Sequence, residues 1–353
     1  MMKKTTVGLA AVTLLSLNLL AAAQVKTSVK TWSTEFSKAL ENKNSNEIKN
    51  LLNFKSIELK VVPNCVDCDS REKMIQARTK FGKNELSSAE KLYNEIPKSS
   101  DSWLEAVEER GWIAFKQEQF EKSLSQTKTL LSPQFASIVN SEAYLQQAIS
   151  QLRICDYEGV LKTNALFKEK QKDRIQEIQN LVKTGQNKSL NDFLEQVNSF
   201  PLDSSEFSNT LSSLPLLFYR DIKVQKAVLN YKLAEAGLEV SEDVDSTTHK
   251  KQLSQIKSQS LNQLKLRLKE LAQTETNKNF KVIQGLNLVE VEVIQRIHHD
   301  LDISDKLYSK ESQFKDVNSD KLVFMDDGRP WIDELDKYEV KTKSCDKNIR
   351  RKM

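Results

Sequence analysis

The sequence predicts an all-α protein: a solenoid of helical hairpins, then long antiparallel helices, then an irregular tail docked back on the body. Three observations carry this. A phrase recurs after 34 residues: Ala77, Gly82, Leu86, Ala89 and Ile96 are echoed by Gly111, Lys116, Phe120, Ser123 and Leu130, and a looser copy runs Ala148, Tyr157, Val160, Phe167. A period of that length marks stacked helical pairs, because one pair cannot bury its apolar face alone and its neighbours must cover it. Only eight Gly and six Pro occur in 353 residues, which disfavours tight β-turns and Gly-rich phosphate loops. Elsewhere apolar residues recur in steps of three and four among Leu, Lys, Glu, Gln, Ser and Asn.

The N-terminus reads as an export signal over residues 1–23. Lys3 and Lys4 give the positive start, Val7 to Leu20 the apolar run, and Ala21, Ala22 and Ala23 a small-residue cleavage site before Gln24. The apolar run is short for a membrane-spanning helix, and no Cys follows it to carry a lipid. Cleavage there lowers the net charge from +4 to +2, with many charges of both signs. That balance is a solvated surface and not a nucleic-acid footprint.

Residues 24–69 read as one or two helices and a cysteine loop. Trp32, Phe36 and Leu40 share a helical face, Asn42 to Asn46 is a polar break, and Ile48, Leu51 and Leu52 open a second piece. The Ile57 to Val62 alternation reads as a short strand, and Val62 to Asp69 as a loop.

The hairpins occupy residues 70–185. Met74, Ala77 and Phe81 go out and Leu86, Ala89, Leu92, Tyr93 and Ile96 return, with the turn at Gly82 to Glu85. Trp103, Val107, Gly111 and Phe115 go out and Phe120, Leu124, Thr127 and Leu131 return, turning at Gln117 to Gln119. Tyr144, Ala148, Leu152 and Cys155 go out and Tyr157, Val160, Leu161 and Phe167 return, turning at Asp156. The third copy starts three residues late, so Pro133, Gln134 and Phe135 read as an insertion. The small residues Ala77, Gly111 and Ala148 are expected where the two helices of one hairpin touch.

These phrases resemble tetratricopeptide repeats. The resemblance lies in Phe81 to Tyr93, in Gly111 with Phe120 to Leu124, and in Cys155 to Leu161, about a third of the chain. Ser123 and Val160 depart from the usual Ala, Pro97 comes early, and no proline closes the third copy. The resemblance implies a right-handed helical solenoid whose concave groove takes an extended or helical peptide.

Residues 186–302 stay helical. A long helix runs from Val160 to Thr184, and Leu190, Phe193, Leu194 and Val197 form another before Pro201. Leu214 to Tyr219 is a dense apolar patch, and Ile222 to Leu233 form a helix expected to be capped by Gly237. After the linker Asp243 to Thr248, Leu253 to Leu271 and Val282 to Ile297 read as two amphipathic helices forming an antiparallel pair or short coiled coil. Residues 303–353 are a less regular tail, in which Trp331 to Leu335 and Tyr338 are apolar enough to be docked on the solenoid.

Chemistry is sparse. Cys65, Cys68, Cys155 and Cys345 in an exported chain favour disulfides. Cys65 with Cys68 can close a local ring, and Cys155 with Cys345 can staple the tail, but spacing leaves all three connectivities open. A redox or zinc role for the Cys65–Cys68 pair lacks the flanking context. His249, His298 and His299 read as solvent-facing, and no metal site, cofactor or catalytic residue is expected. The paired acids Glu108–Glu109 and Asp326–Asp327 read as solvated faces. Candidate partner-binding residues are Lys83, Arg110, Trp112, Lys116, Tyr144 and Arg153. The basic tail from Lys341 to Lys352 reads as a solvated terminus.

The expected function is a non-enzymatic protein-binding or scaffold module of the bacterial envelope, periplasmic, outer-membrane associated or secreted. Its partner is another envelope protein or peptide; nucleic acid and an integral membrane span are not expected, and an oligomer is open. The alternatives are self-assembly through the 250–301 helices, or a helical envelope enzyme.

Overall fold

The computed structural model describes residues 27–62, 67–185, 188–243, 247–299 and 335–340. The expected export signal, Cys65, Cys345 and most of the tail lie outside them. Among the described residues the fold is all-α apart from one two-residue ladder, Thr27–Ser28 antiparallel to Ser199–Phe200.

Three short helices open the chain: α1 (Val29–Glu41), α2 (Ser45–Leu51) and α3 (Phe54–Val61). The strand expected at Ile57 to Val62 is therefore helical. Asn53 caps α3 by accepting from the Ser56 N–H at 3.2 Å, and Phe54 and Val61, two turns apart, are both buried.

The hairpins follow: α4 (Cys68–Gly82) with α5 (Leu86–Asn94), α6 (Trp103–Lys116) with α7 (Phe120–Leu130), and α8 (Glu142–Arg153) with α9 (Tyr157–Thr184). Their turns are built alike. Asn84, Glu118 and Cys155 stand in the left-handed region at φ 62°, 59° and 63°. In each turn the next N–H reaches back five residues, Glu85 to Lys80 at 3.0 Å, Gln119 to Ala114 at 2.9 Å and Asp156 to Gln151 at 2.9 Å. This closure satisfies helix-end carbonyls. The same turn joins α1 to α2, with Lys43 at φ 48° and the Asn44 N–H on the Ala39 carbonyl at 3.0 Å.

Successive hairpins pack through α5 on α6 and α7 on α8. The close approach at Gly111 differs from expectation. A Cβ there would lie 2.7 Å from the Gln146 side chain of α8, so Gly111 makes room for the next hairpin and not for its own returning helix. The Gln146 amide donates to the Glu108 carbonyl at 3.0 Å. The expected insertion, Pro133–Phe135, is a single 3-10 turn.

Helix α9 runs 28 residues to a left-handed Gly185. Helices α10 (Lys188–Gln196) and α11 (Ile222–Asp243) follow, with 3-10 turns between them. Gly237 is inside α11 and does not cap it. It lets α11 approach its neighbours: a Cβ would sit 3.1 Å from Leu253 and 3.2 Å from Trp32.

The expected helix pair is a single helix, α12 (Thr247–His299), of 53 residues and about 80 Å. Its buried residues form one stripe: Leu253, Ser260, Leu264, Leu268, Ala272, Glu275, Asn279, Val282, Leu286, Val289, Val293 and Ile297. The steps are three or four almost throughout. The first half lies on α11, and the second on α8 and α9.

Where the two halves meet, the stripe turns polar, and each polar residue has its own partner. Ser141 donates to Asn279 Oδ1 at 2.6 Å. Arg174 of α9 donates to Glu275 Oε1 from Nε at 3.0 Å and Nη2 at 2.8 Å. Its remaining N–H groups meet the carbonyls of Leu211 at 3.1 Å, Ser212 at 2.9 Å and Leu214 at 3.1 Å. Glu275 Oε2 in turn accepts from the Leu216 N–H at 2.7 Å. Both charged side chains are nearly removed from water, at 7% and 9% exposure.

Two outcomes are expected. Arg174→Met strands Glu275 as a buried unpaired charge and lowers the unfolding free energy by about 3–5 kcal/mol in urea titration, while adding Glu275→Leu recovers most of the loss. Glu118→Gly relieves the left-handed backbone and raises stability by up to about 1 kcal/mol, whereas Glu118→Val lowers it; thermal melts of the two variants read the difference.

Candidate functional site

The outgoing helices line a cleft of about 530 Å³. Helix α6 gives it one face: Leu104, Glu105, Glu108, Glu109 and Trp112 fall at intervals that keep them together. Arg78 and Phe81 come from α4, Ile138 to Asn140 from the loop before α8, and Glu142 from its first turn. The far wall is Leu216, Leu217, Arg220 and Lys278 of α12.

Charge is unevenly satisfied in this cleft. Arg78 grips Glu109 from Nε at 2.7 Å and reaches Glu105 from Nη2 at 2.8 Å. The Tyr93 hydroxyl donates to the second Glu109 oxygen. Arg220 Nε sits 3.1 Å from Asp101 Oδ2, tying the far wall to the loop before α6. Five carboxyl groups, from Asp101, Glu105, Glu108, Glu109 and Glu142, therefore face three cations, Arg78, Arg220 and Lys278.

Glu108 carries the consequence. Burial, and then the carboxylates of Glu142, Glu109 and Glu105, push its pKa up to about 8 against the opposing pull of Lys278. It thus holds its proton at neutral pH and can donate a hydrogen bond, or lose the proton to water when an entering cation favours the charged carboxylate. Among the described residues the lining holds no Ser, Thr, Cys or His. The expectation that Glu108 and Glu109 form a solvated face is corrected: one is ion-paired and the other holds its proton inside the cleft. That Glu105, Glu108, Glu109 and Trp112 share one face of a single helix was legible in the sequence; the distant walls that bury Glu108 were not.

The six expected partner-binding residues are dispersed. Trp112 lines the cleft, with its buried Nε1 unpaired. Tyr144 is buried, 5% exposed, edge-on to Phe167. Lys83 is exposed on the first turn. Lys116 lies over the Phe81 ring at 4.4 Å, and Arg153 over Phe115 at 5.9 Å. These two pairs are one contact repeated, because Phe81 and Phe115 are 34 residues apart and each cation comes from the next hairpin. Arg110 is held by Asn94 at 2.8 Å and Asp336 at 2.7 Å.

Cys68 opens α4 and Cys155 occupies the third turn. Both are disulfide-bonded, and among the described residues no cysteine is free. Among the described residues no helix is long and apolar enough to cross a membrane, and no group of three or more His, Cys, Asp or Glu converges as a metal site.

The Glu108 shift fixes the sign of a pH effect. Its folded pKa, about 8, lies above its ordinary 4.5, so its contribution to stability is complete below about pH 4.5 and is lost as pH rises through 8. Glu108→Gln should leave the melting temperature unchanged near pH 4 and raise it at pH 9; equal shifts at both pH values would contradict this assignment.

No protein-family model, curated protein or solved structure matches the chain.

Proposed function

We propose that the protein is a non-enzymatic binding or scaffold module of the bacterial envelope, exported by its N-terminal segment, with the cleft along α4, α6 and α8 as its working surface. One observation carries this: the outgoing helices of successive hairpins line one cleft, and its carboxyl groups outnumber its cations by five to three. Such a surface favours a partner that brings lysine or arginine, with Trp112 as an aromatic face for the cation. The tetratricopeptide-like phrases at 81–93 and 111–124 agree with a peptide-holding role.

The test uses the full chain. Lys/Arg-rich and Asp/Glu-rich peptides of equal length are titrated at low and physiological salt, following Trp fluorescence. The basic peptide is expected to bind, and Glu142→Lys to weaken it tenfold or more; equal binding of both peptides, or no effect of the reversal, removes the cleft as the working surface. Fractionation of expressing cells, with N-terminal sequencing for a start at Gln24, tests export.

A second reading is self-association through α12. Phe280, Leu288, Val291 and Ile294 are 60%, 72%, 52% and 43% exposed, on the side of the helix opposite its buried stripe. Sedimentation should then show a concentration-dependent dimer that Leu288→Lys abolishes, and a strict monomer would remove this reading.

A further inference from the structure

In the segment 335–340, Leu335, Asp336 and Tyr338 meet the seam between the first two hairpins, more than 200 positions away in sequence. Leu335 is 3% exposed and joins the core of those hairpins beside Tyr93, Trp103 and Leu130. Lys98, after α5, donates to the Leu335 carbonyl at 2.7 Å. The Asp336 N–H donates to Thr129 Oγ1 of α7 at 3.0 Å. Arg110 of α6 donates from Nη2 to the Asp336 carboxylate at 2.7 Å, the pair being 11% and 18% exposed. Lys128 lies over the Tyr338 ring at 4.8 Å.

Side chains of the hairpins thus read an apolar side chain, a carbonyl, an N–H, a carboxylate and a ring. The segment they hold has no helix or strand of its own. That is how a folded surface recognises a linear peptide: backbone contacts set its course and pockets read its side chains. The fit is incomplete in two respects. Arg110 Nε is buried and has no hydrogen-bond partner, so the guanidinium does not grip Asp336 side-on. Asp336 stands at φ 74°, in the left-handed region that L side chains rarely adopt.

We propose that this seam is a linear-motif site for an extended peptide with a leucine-like residue followed by an aspartate, filled in the isolated protein by its own Leu335–Tyr338 segment and open to a partner peptide of the same pattern. The motif is apolar, acidic, any residue, aromatic. The imperfect fit of the chain's own segment is what allows exchange, because a peptide that engages Arg110 side-on displaces it. The site shares no charged residue with the cleft, so it stands or falls apart from the cleft reading.

The probe is a fluorescent peptide of the sequence from Trp331 to Val340, followed by anisotropy against the full chain. A full-length variant with Leu335→Ser and Asp336→Ala, which empties the seam, should bind it at least tenfold more tightly than the unaltered chain. Arg110→Ala in that background, or Asp336→Asn in the peptide, should cost tenfold or more. No binding by an emptied variant that keeps its helical circular dichroism, or binding indifferent to Arg110, overturns the proposal. If the emptied variant does not fold, the unaltered chain decides. Excess unlabelled peptide should speed hydrogen exchange at the Asp336 amide, which Thr129 otherwise protects, and unchanged exchange at saturating peptide overturns the proposal.

Discussion

The Arg174–Glu275 pair is the contact on which the architecture turns. It sits where α9 passes from the third hairpin towards the core of α1, α10 and α11, and where α12 crosses between the same two regions. All five guanidinium N–H groups have acceptors, two on Glu275 and three on carbonyls between Leu211 and Leu214. Glu275 then turns to the Leu216 N–H. A segment with no long helix of its own is thereby hung between two long helices. Its continuation, Leu216 and Leu217, is the far wall of the cleft. The pair therefore sets the shape of the candidate site without touching its interior.

A buried ion pair is a weak source of net stability, because removing two charges from water costs roughly what their attraction returns. Leucine and methionine in the same places would still hold α9 to α12. They would not hold the carbonyls of residues 211–214 or the Leu216 N–H. What the pair supplies is position, and that explains why a polar contact interrupts an otherwise apolar stripe. Asn279, bonded to Ser141, does the same one turn on and brings the start of α8 to α12.

The same two residues decide how much of the fold was legible. The 34-residue echo located α4 to α9 because apolar periodicity and small residues are local signals. The unity of α12 was missed because Glu275 and Asn279 fall where the stripe should be apolar, and the pattern splits into two. Yet Arg174 falls in phase with Asn164, Phe167, Gln171, Ile178 and Leu181 on the buried face of α9, as Glu275 does on α12. Two opposite charges, each in phase with a buried stripe, are a pairing signal readable from sequence. Gly237 misled for another reason: a glycine made necessary by a neighbouring helix looks, in one dimension, like a helix end. Only the three-dimensional approach of Leu253 and Trp32 separates the two. The environment of Glu108 was hidden likewise, because its burial comes from walls supplied by residues as distant as Arg220 and Lys278.

The candidate surfaces follow from how a stack of hairpins is finished. A stack leaves open ends, seams and an inner face, and each must be covered or used. Here α12 covers α8 and α9 with Val282, Leu286, Val289 and Val293, closing the stack at its third hairpin. The 214–220 segment limits the inner face to a cleft. Leu335 plugs the seam between the first two hairpins. These elements come from sequence far beyond the repeats, so the hairpins act as a frame whose openings the rest of the chain narrows. An open array would present one long groove. A closed one presents small sites of definite charge, a cleft with an excess of carboxyl groups and a seam where Arg110, Lys98 and Lys128 meet an acidic, apolar segment. Opposite charge on the two surfaces means that one partner chemistry cannot fill both, and any shared partner must carry a basic and an acidic region apart from each other.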